Sequence, residues 1–208
     1  RTVAVTAGYI DPEPRAEFFA AMDAANVDLK AFTERFYPKI CGGHLAPVLE
    51  TLEFIRQHTD TWLELTTLLI PGENDSDDEL HRLSAWVAEK LGADVPIHFT
   101  AFHPDWKMRD IARTPAATLT RARRIALQNG LRYAYTGNVH DSEGSSTWCH
   151  ACGALLIERD WYVLGRWGLD SHGCCAKCGE RLPGHFLERP DSFGARRIPV
   201  RLDGSLGV

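Results

Sequence analysis

A chain of 208 residues, 44% of them hydrophobic, has enough apolar material for one sizeable core and a small satellite. Its net charge of −5 excludes broad electrostatic binding to nucleic acid, and no apolar run approaches the roughly 20 residues that cross a bilayer. Arg1–Thr6 has neither the apolar region nor the cleavage site of a signal peptide, so a soluble, cytoplasmic protein is expected, with no nucleic-acid or membrane partner.

The first 136 residues alternate short apolar runs with amphipathic stretches. Val3–Thr6 reads as a buried strand. Pro12–Ala25 reads as a helix with proline near its start and Phe18, Phe19 and Met22 on one face. Val27–Ala31 is a second strand, and Pro47 sits in the first turn of a helix striped by Val48, Leu49, Leu52 and Ile55. Trp62–Ile70 is the third strand, closed by the turn Pro71-Gly72-Glu73-Asn74-Asp75. Ser76 can cap the next helix, with Glu79 as its capping-box partner, and that helix runs to about Leu91 before Gly92. Pro96–Phe102 is the fourth strand, Pro115–Asn129 a helix stopped by Gly130, and Leu131–Thr136 the fifth strand.

Such alternation implies parallel strands joined by helical crossovers. Five strands are too few for an eight-stranded barrel but fit a barrel segment or a small open sheet. The chain starts with arginine inside a strand-like run, which points to a fragment whose sheet is completed by further sequence or by a partner chain. Residues 137–147 are polar and aperiodic and read as a linker. A cysteine-bearing module follows over 148–187, and 188–208 reads as a tail whose Arg196, Arg197 and Arg201 are solvated.

Six cysteines in a chain without a secretion signal favour metal or chemistry over disulfides. Cys149-His-Ala-Cys152 and Cys175-Ala-Lys-Cys178 are two C-x2-C steps, each followed by glycine (Gly153, Gly179). Four thiolates at this spacing can close a tetrahedral shell around zinc, and iron in a rubredoxin-like site has the same geometry. The repeated glycine selects Cys175 over its neighbour Cys174, and leaves His150 and His172 off the pattern. Cys41, beside Gly42 and Gly43, reads as a partly buried thiol.

In a parallel α/β barrel, reactive residues sit at the carboxyl ends of the strands. Asp28 and Lys30, two apart, point to the same side of their strand and must pair or serve a ligand. Thr66 and Pro71-Gly72 stand at the end of the third strand; His98 and His103 flank the end of the fourth, His103 being better placed at a mouth. No GxGxxG, GxxxxGK[ST] or GxSxG motif is present.

Four runs occur in order: Thr6-Ala7-Gly8-Tyr9-Ile10, Asn26-Val27-Asp28-Leu29-Lys30-Ala31, Thr66-Thr67-Leu68-Leu69-Ile70-Pro71-Gly72-Glu73-Asn74-Asp75, and His98-Phe99-Thr100-Ala101-Phe102-His103-Pro104. With Gly137-Asn138-Val139 and the cysteine module, they closely resemble the later barrel half of radical S-adenosylmethionine (SAM) enzymes. The nearest group is the pyruvate formate-lyase activating enzyme-like one, and within it the radical enzyme of the AmmeMemoRadiSam system. The resemblance covers about residues 1–186. It implies a partial (β/α) barrel of the radical SAM type followed by a small zinc-ribbon or rubredoxin-like knuckle. It implies an enzyme that reductively cleaves SAM at a four-iron–four-sulfur cluster to form a 5′-deoxyadenosyl radical. Asp28 and Lys30 match a strand that lies against SAM, and His103 matches a histidine at its adenosine end. Ala7 departs from a Thr-Asn-Gly strand end and removes an amide.

The family's cluster loop, C-x3-C-x2-C, is absent from these residues, and so is its glycine-rich segment. The resemblance therefore implies the C-terminal part of a longer enzyme, inactive alone, acting on a protein substrate or completed by a partner chain. A truncated barrel serving as a non-catalytic zinc-binding scaffold is the alternative reading. A Schiff-base aldolase using Lys30 is weaker, because Asp28 favours the charged lysine.

Overall fold

The computed structural model describes residues 1–186. The chain separates into two compact units, Arg1–Gly144 and a second beginning at Ser145. The first is built on a five-stranded sheet: β1 (Val3–Thr6), β2 (Ala24–Asp28), β3 (Trp62–Leu69), β4 (Ile97–Ala101) and β5 (Ala134–Gly137). All neighbours are parallel and the spatial order is the chain order. The crossovers carry α1 (Pro12–Ala20), α2 (Leu45–His58), α3 (Asp77–Trp86) and α4 (Ala116–Gln128).

Right-handed crossovers between strands taken in order place every helix on the same face. Burial follows that rule. Val27, Leu65, Leu69, Ile97, Phe99 and Ala101 are buried from the sheet, and Phe19, Leu52, Ile55, Leu80, Leu83, Leu119 and Ile125 meet them from the helices in one core. The alternate residues, Asn26, Asp28, Glu64, Thr66, His98, Thr100 and Tyr135, are only half-buried, and on β1 Val3 and Val5 are 59% and 80% exposed. Strands in parallel sheets are ordinarily apolar on both faces. Among the described residues, this sheet has one apolar, helix-covered face and one polar, half-buried face that the crossover helices leave open.

Several element boundaries differ from expectation. The second strand is Ala24–Asp28, three residues earlier than the apolar run suggested, because α1 stops at Ala20 and Ala24 registers with Val3 and Trp62. Leu29 donates to the Val27 carbonyl in a tight turn, so Leu29–Ala31 leave the ladder although Leu29 and Ala31 stay buried. The fifth strand starts at Ala134, not Leu131, and β4 loses Pro96 and Phe102 at its ends. Two five-residue π-helical turns, Tyr37–Cys41 and Val87–Leu91, were not expected; the second carries the α3 helix on to Gly92. Ser76 caps α3 through the Glu79 amide at 3.3 Å, but the Glu79 side chain does not return to Ser76. Its carboxylate accepts the Phe32 N–H at 2.7 Å instead, tying the loop after β2 to α3.

Residues 137–147 hold more structure than a linker: the last residue of β5, a single turn α5 (Ser142–Ser145) and the start of β6 (Thr147–Trp148). In the second unit β6 pairs antiparallel with β7 (Leu155–Asp160), which pairs with β8 (Val163–Trp167). Its described buried residues are few: Cys149, Leu156, Ile157, Leu169, Cys175 and Leu182 carry its apolar interior. The expected tail at 188–208 lies outside the described residues.

Candidate functional site

The open face of the sheet collects the polar side chains. Asp28 closes β2, and Lys30, just beyond it, places Nζ 2.7 Å from Asp28 Oδ2 with both side chains partly exposed. Two buried groups fix the Lys30 backbone. Its N–H donates to Tyr37 Oη at 3.2 Å, and its carbonyl accepts from Asn74 Nδ2 at 2.7 Å. Asn74, 2% exposed, also donates to the Leu68 carbonyl at 2.9 Å and accepts from the Ile70 N–H at 2.7 Å. One amide thus ties the ends of β2 and β3 together, saturating backbone groups that a strand end leaves open. Thr67 adds a bond from its hydroxyl to the Leu29 carbonyl at 2.7 Å.

Cys41, expected to be partly buried, is exposed at the end of the Tyr37–Cys41 turn, within electrostatic reach of Lys30 and Asp28. Desolvation pushes its thiol up; the nearby Lys30 charge opposes that and Asp28 adds to it. Desolvation likewise raises the Tyr37 phenol, so it stays neutral as an acceptor for Lys30. Thr66 donates to Asn26 Oδ1 at 2.8 Å, and His98 Nε2 lies 2.7 Å from Glu64 Oε2. His103 stands exposed just past β4 and makes no hydrogen bond or ion pair with Asp28 or Lys30. Sequence reasoning placed Asp28 and Lys30 together but missed Asn74, Tyr37 and the Glu64–His98 pair. Glu64 and Thr66, polar at alternate positions of a largely apolar strand, were the available signal for Glu64.

In the second unit the sulfurs of Cys149, Cys152, Cys175 and Cys178 all lie within 4.8 Å of one another, with Cys149–Cys178 at 3.6 Å and Cys152–Cys175 at 3.7 Å. A tetrahedral ion with metal–sulfur bonds of about 2.3 Å spaces its sulfurs about 3.8 Å apart, so the four thiols fit such an ion. The two turns have the same bonds. Cys149 N–H donates to Ala154 O and Gly153 N–H to Cys149 O; Cys175 N–H donates to Glu180 O and Gly179 N–H to Cys175 O, all at 2.8 Å. Gly153 and Gly179 have φ of 68° and 79°, which L side chains resist, so the glycine after each pair is a conformational requirement.

Cys174 is outside the cluster; it exchanges bonds with Asp170. His150 Nε2 lies 3.3 Å from Glu180, and neither it nor His172 joins the four. Amides of Cys178 and Lys177 aimed at Cys175 hold its thiol down to about 7. The Glu180 amide favours the Cys178 thiolate, but the other three sulfurs outweigh it and push that thiol up to about 12. Four thiolates thus need a cation to coexist.

No protein-family model matches the chain. It is 41% identical over 181 residues to the uncharacterized protein MJ0808 of Methanocaldococcus jannaschii, an alignment covering 86% of this chain and 53% of that protein. The chain thus spans about half the length of the curated relative it matches. Among solved structures it is similar to a domain of pyruvate-formate lyase-activating enzyme from Bacteroides vulgatus, with a TM-score of 0.57, 15% identity, and 65% of this chain and 80% of that one covered. It is also similar to a radical SAM methyltransferase from Sphaerobacter thermophilus, with a TM-score of 0.53, 17% identity, and 74% and 43% covered. At these identities the likeness establishes the fold: a parallel α/β sheet of the kind those enzymes carry, followed here by a four-cysteine knuckle.

Proposed function

We propose that this chain is the C-terminal portion of a radical SAM enzyme of the activating-enzyme-like group, its relative within that group being the AmmeMemoRadiSam radical enzyme. The observation that carries the reading is the Asp28–Lys30 pair at the carboxyl end of β2, on the polar face of a sheet shared with radical SAM structures. SAM ends in an amino acid that carries one ammonium and one carboxylate. An aspartate and a lysine side by side offer the complementary charges, and Asn74 and Tyr37 hold the lysine backbone at a fixed height. His103, exposed beyond β4, is the residue for the adenosine end. SAM with a four-iron–four-sulfur cluster supplies the radical chemistry when bound; the cluster ligands are not among these 208 residues. The residues here bind, orient and screen from water. The four cysteines hold a structural zinc, or iron in the same shell.

The test is reductive SAM cleavage under anaerobic conditions, read as 5′-deoxyadenosine. The full-length protein with reconstituted cluster is expected to form it, and the 208 residues alone are not. Lys30→Ala and Asp28→Ala in the full-length protein should weaken SAM binding by about tenfold or more, the loss of one charge-assisted contact each. A cluster-loaded full-length protein that binds no SAM sinks the reading. In that event the scaffold alternative stands, favoured by Tyr162 and Val163, exposed at the β7–β8 turn.

A further inference from the structure

Glu64 and His98 are the ionisable pair on the open sheet face that SAM positioning leaves unused. Glu64 Oε2 and His98 Nε2 lie 2.7 Å apart on adjacent strands, with side chains 34% and 31% exposed. The Trp62 indole N–H donates to the other Glu64 oxygen, Oε1, at 3.0 Å, which fixes the carboxylate. An ionised carboxylate only accepts, so the imidazole must donate through Nε2–H, and Nδ1 becomes the basic nitrogen of the neutral ring. Nδ1 has no hydrogen-bond partner among the described residues. The ring is held from the far side by Tyr135, stacked at 5.0 Å between centroids with 25° between planes.

Pairing places this dyad. His98 registers with Thr66, and Thr66 with Asp28, so the histidine is level with the aspartate two strands, or about 10 Å, away. Among the described residues, the charged and titratable groups on the strands of the same face are Glu64 on β3, Tyr135 on β5, and Asp28 with Lys30 at the end of β2. A carboxylate–imidazole unit, oriented on rigid strands with one nitrogen unsatisfied, has the arrangement of a proton acceptor.

We infer that Glu64 and His98 form a proton-accepting dyad for a substrate carrying a hydroxyl or ammonium group. The step is a simple transfer. The substrate O–H or N–H bond breaks, its electron pair stays on the oxygen or nitrogen, and the proton bonds to His98 Nδ1. The resulting imidazolium is stabilised by the Glu64 carboxylate. This rests on reading the open face as the reaction chamber.

The test uses the full-length protein and diethyl pyrocarbonate, which acylates accessible unprotonated imidazole nitrogen, read by peptide mass spectrometry. His98 is expected to react at a rate comparable with the exposed His58, and Glu64→Gln to slow it roughly tenfold by weakening the acceptor that keeps the proton on Nε2 and Nδ1 bare. In parallel, 15N-histidine NMR should find His98 with a protected Nε2–H and a bare Nδ1, the protection lost in Glu64→Gln. His98 that stays unmodified while His58 is acylated overturns the inference, as does a proton on Nδ1. SAM cleavage is measured on the same wild-type sample. If it is absent while His98 behaves as expected, the radical reading fails and the dyad stands; if it is present and His98 is inert, the reverse holds.

Discussion

The two units solve the same problem with different means. Residues 1–144 bury Leu65, Phe99, Leu52, Ile55 and Leu119 between a sheet and a helical layer, and their stability comes from apolar area. Among the described residues the second unit has three short strands and a handful of buried apolar side chains, and its four cysteine sulfurs lie within 4.8 Å of one another. The lesson is that a reactive residue type marks function in one context and architecture in the other. On the proposed reading a metal on the cysteines holds the shape of the second unit, while the first unit, with an apolar core on one side of its sheet, carries charged groups on the other side.

Removing the metal is the strongest way to test that contrast. A tight chelator, or Cys149→Ser, should abolish amide-exchange protection throughout the second unit, because metal binding is its folding free energy. The amides of β3 and β4 should keep theirs; equal loss in both units would erase the distinction. Leu65→Ala should destabilise the first unit by about 2–5 kcal/mol in urea denaturation, from lost transfer energy plus a cavity. Metal content should not change, and its loss would show that the units are not independent. Asn74→Asp removes two donors from buried carbonyls and should cost about 1–3 kcal/mol.

The smallest effects are in pH, and their signs differ between units. Backbone bonds from Cys174 and then His172 hold the Asp170 carboxyl below its ordinary value. Its contribution is fully present above the unfolded carboxylate pKa and is lost as pH falls through the depressed folded value. Burial raises Glu79 despite the Phe32 amide, so its contribution is present below the unfolded pKa and lost as pH rises through the raised folded one. Asp170→Asn should therefore flatten the acid limb of stability in the metal-loaded protein, and Glu79→Gln should flatten the limb just above it. Stability measured against pH for the two variants checks both signs.

Element types and order were legible because amphipathic helices and apolar strands have different periods. The second strand shows the limit of that method. Val27, Leu29 and Ala31 of its apolar run are buried, but sheet pairing runs through Ala24, Ala25 and Asn26, which carry little hydrophobic signal and face Val3–Val5 on one side and Trp62–Glu64 on the other. Asp28 and Lys30 could be placed together from spacing, even though Lys30 turned out to lie past the strand. Glu79 shows the opposite failure: its motif was right for the cap, yet the carboxylate bonds to an amide 47 residues away, which no local pattern records. The four cysteines were fully legible, since their spacing and paired glycines are local constraints. The Glu64–His98 pair was not, because only register brings the two together.

The matched bonding of the two cysteine turns has a consequence for supply. Two copies of one turn present four ligands of a single type, all thiol sulfurs, with no harder ligand among them by which to prefer one tetrahedral ion to another. Such a site takes what the cell offers during synthesis. Protein made in iron-rich medium should come out red, and protein made with excess zinc colourless, from the same sequence and with the same fold. The metal found in any one preparation is then a record of its growth conditions.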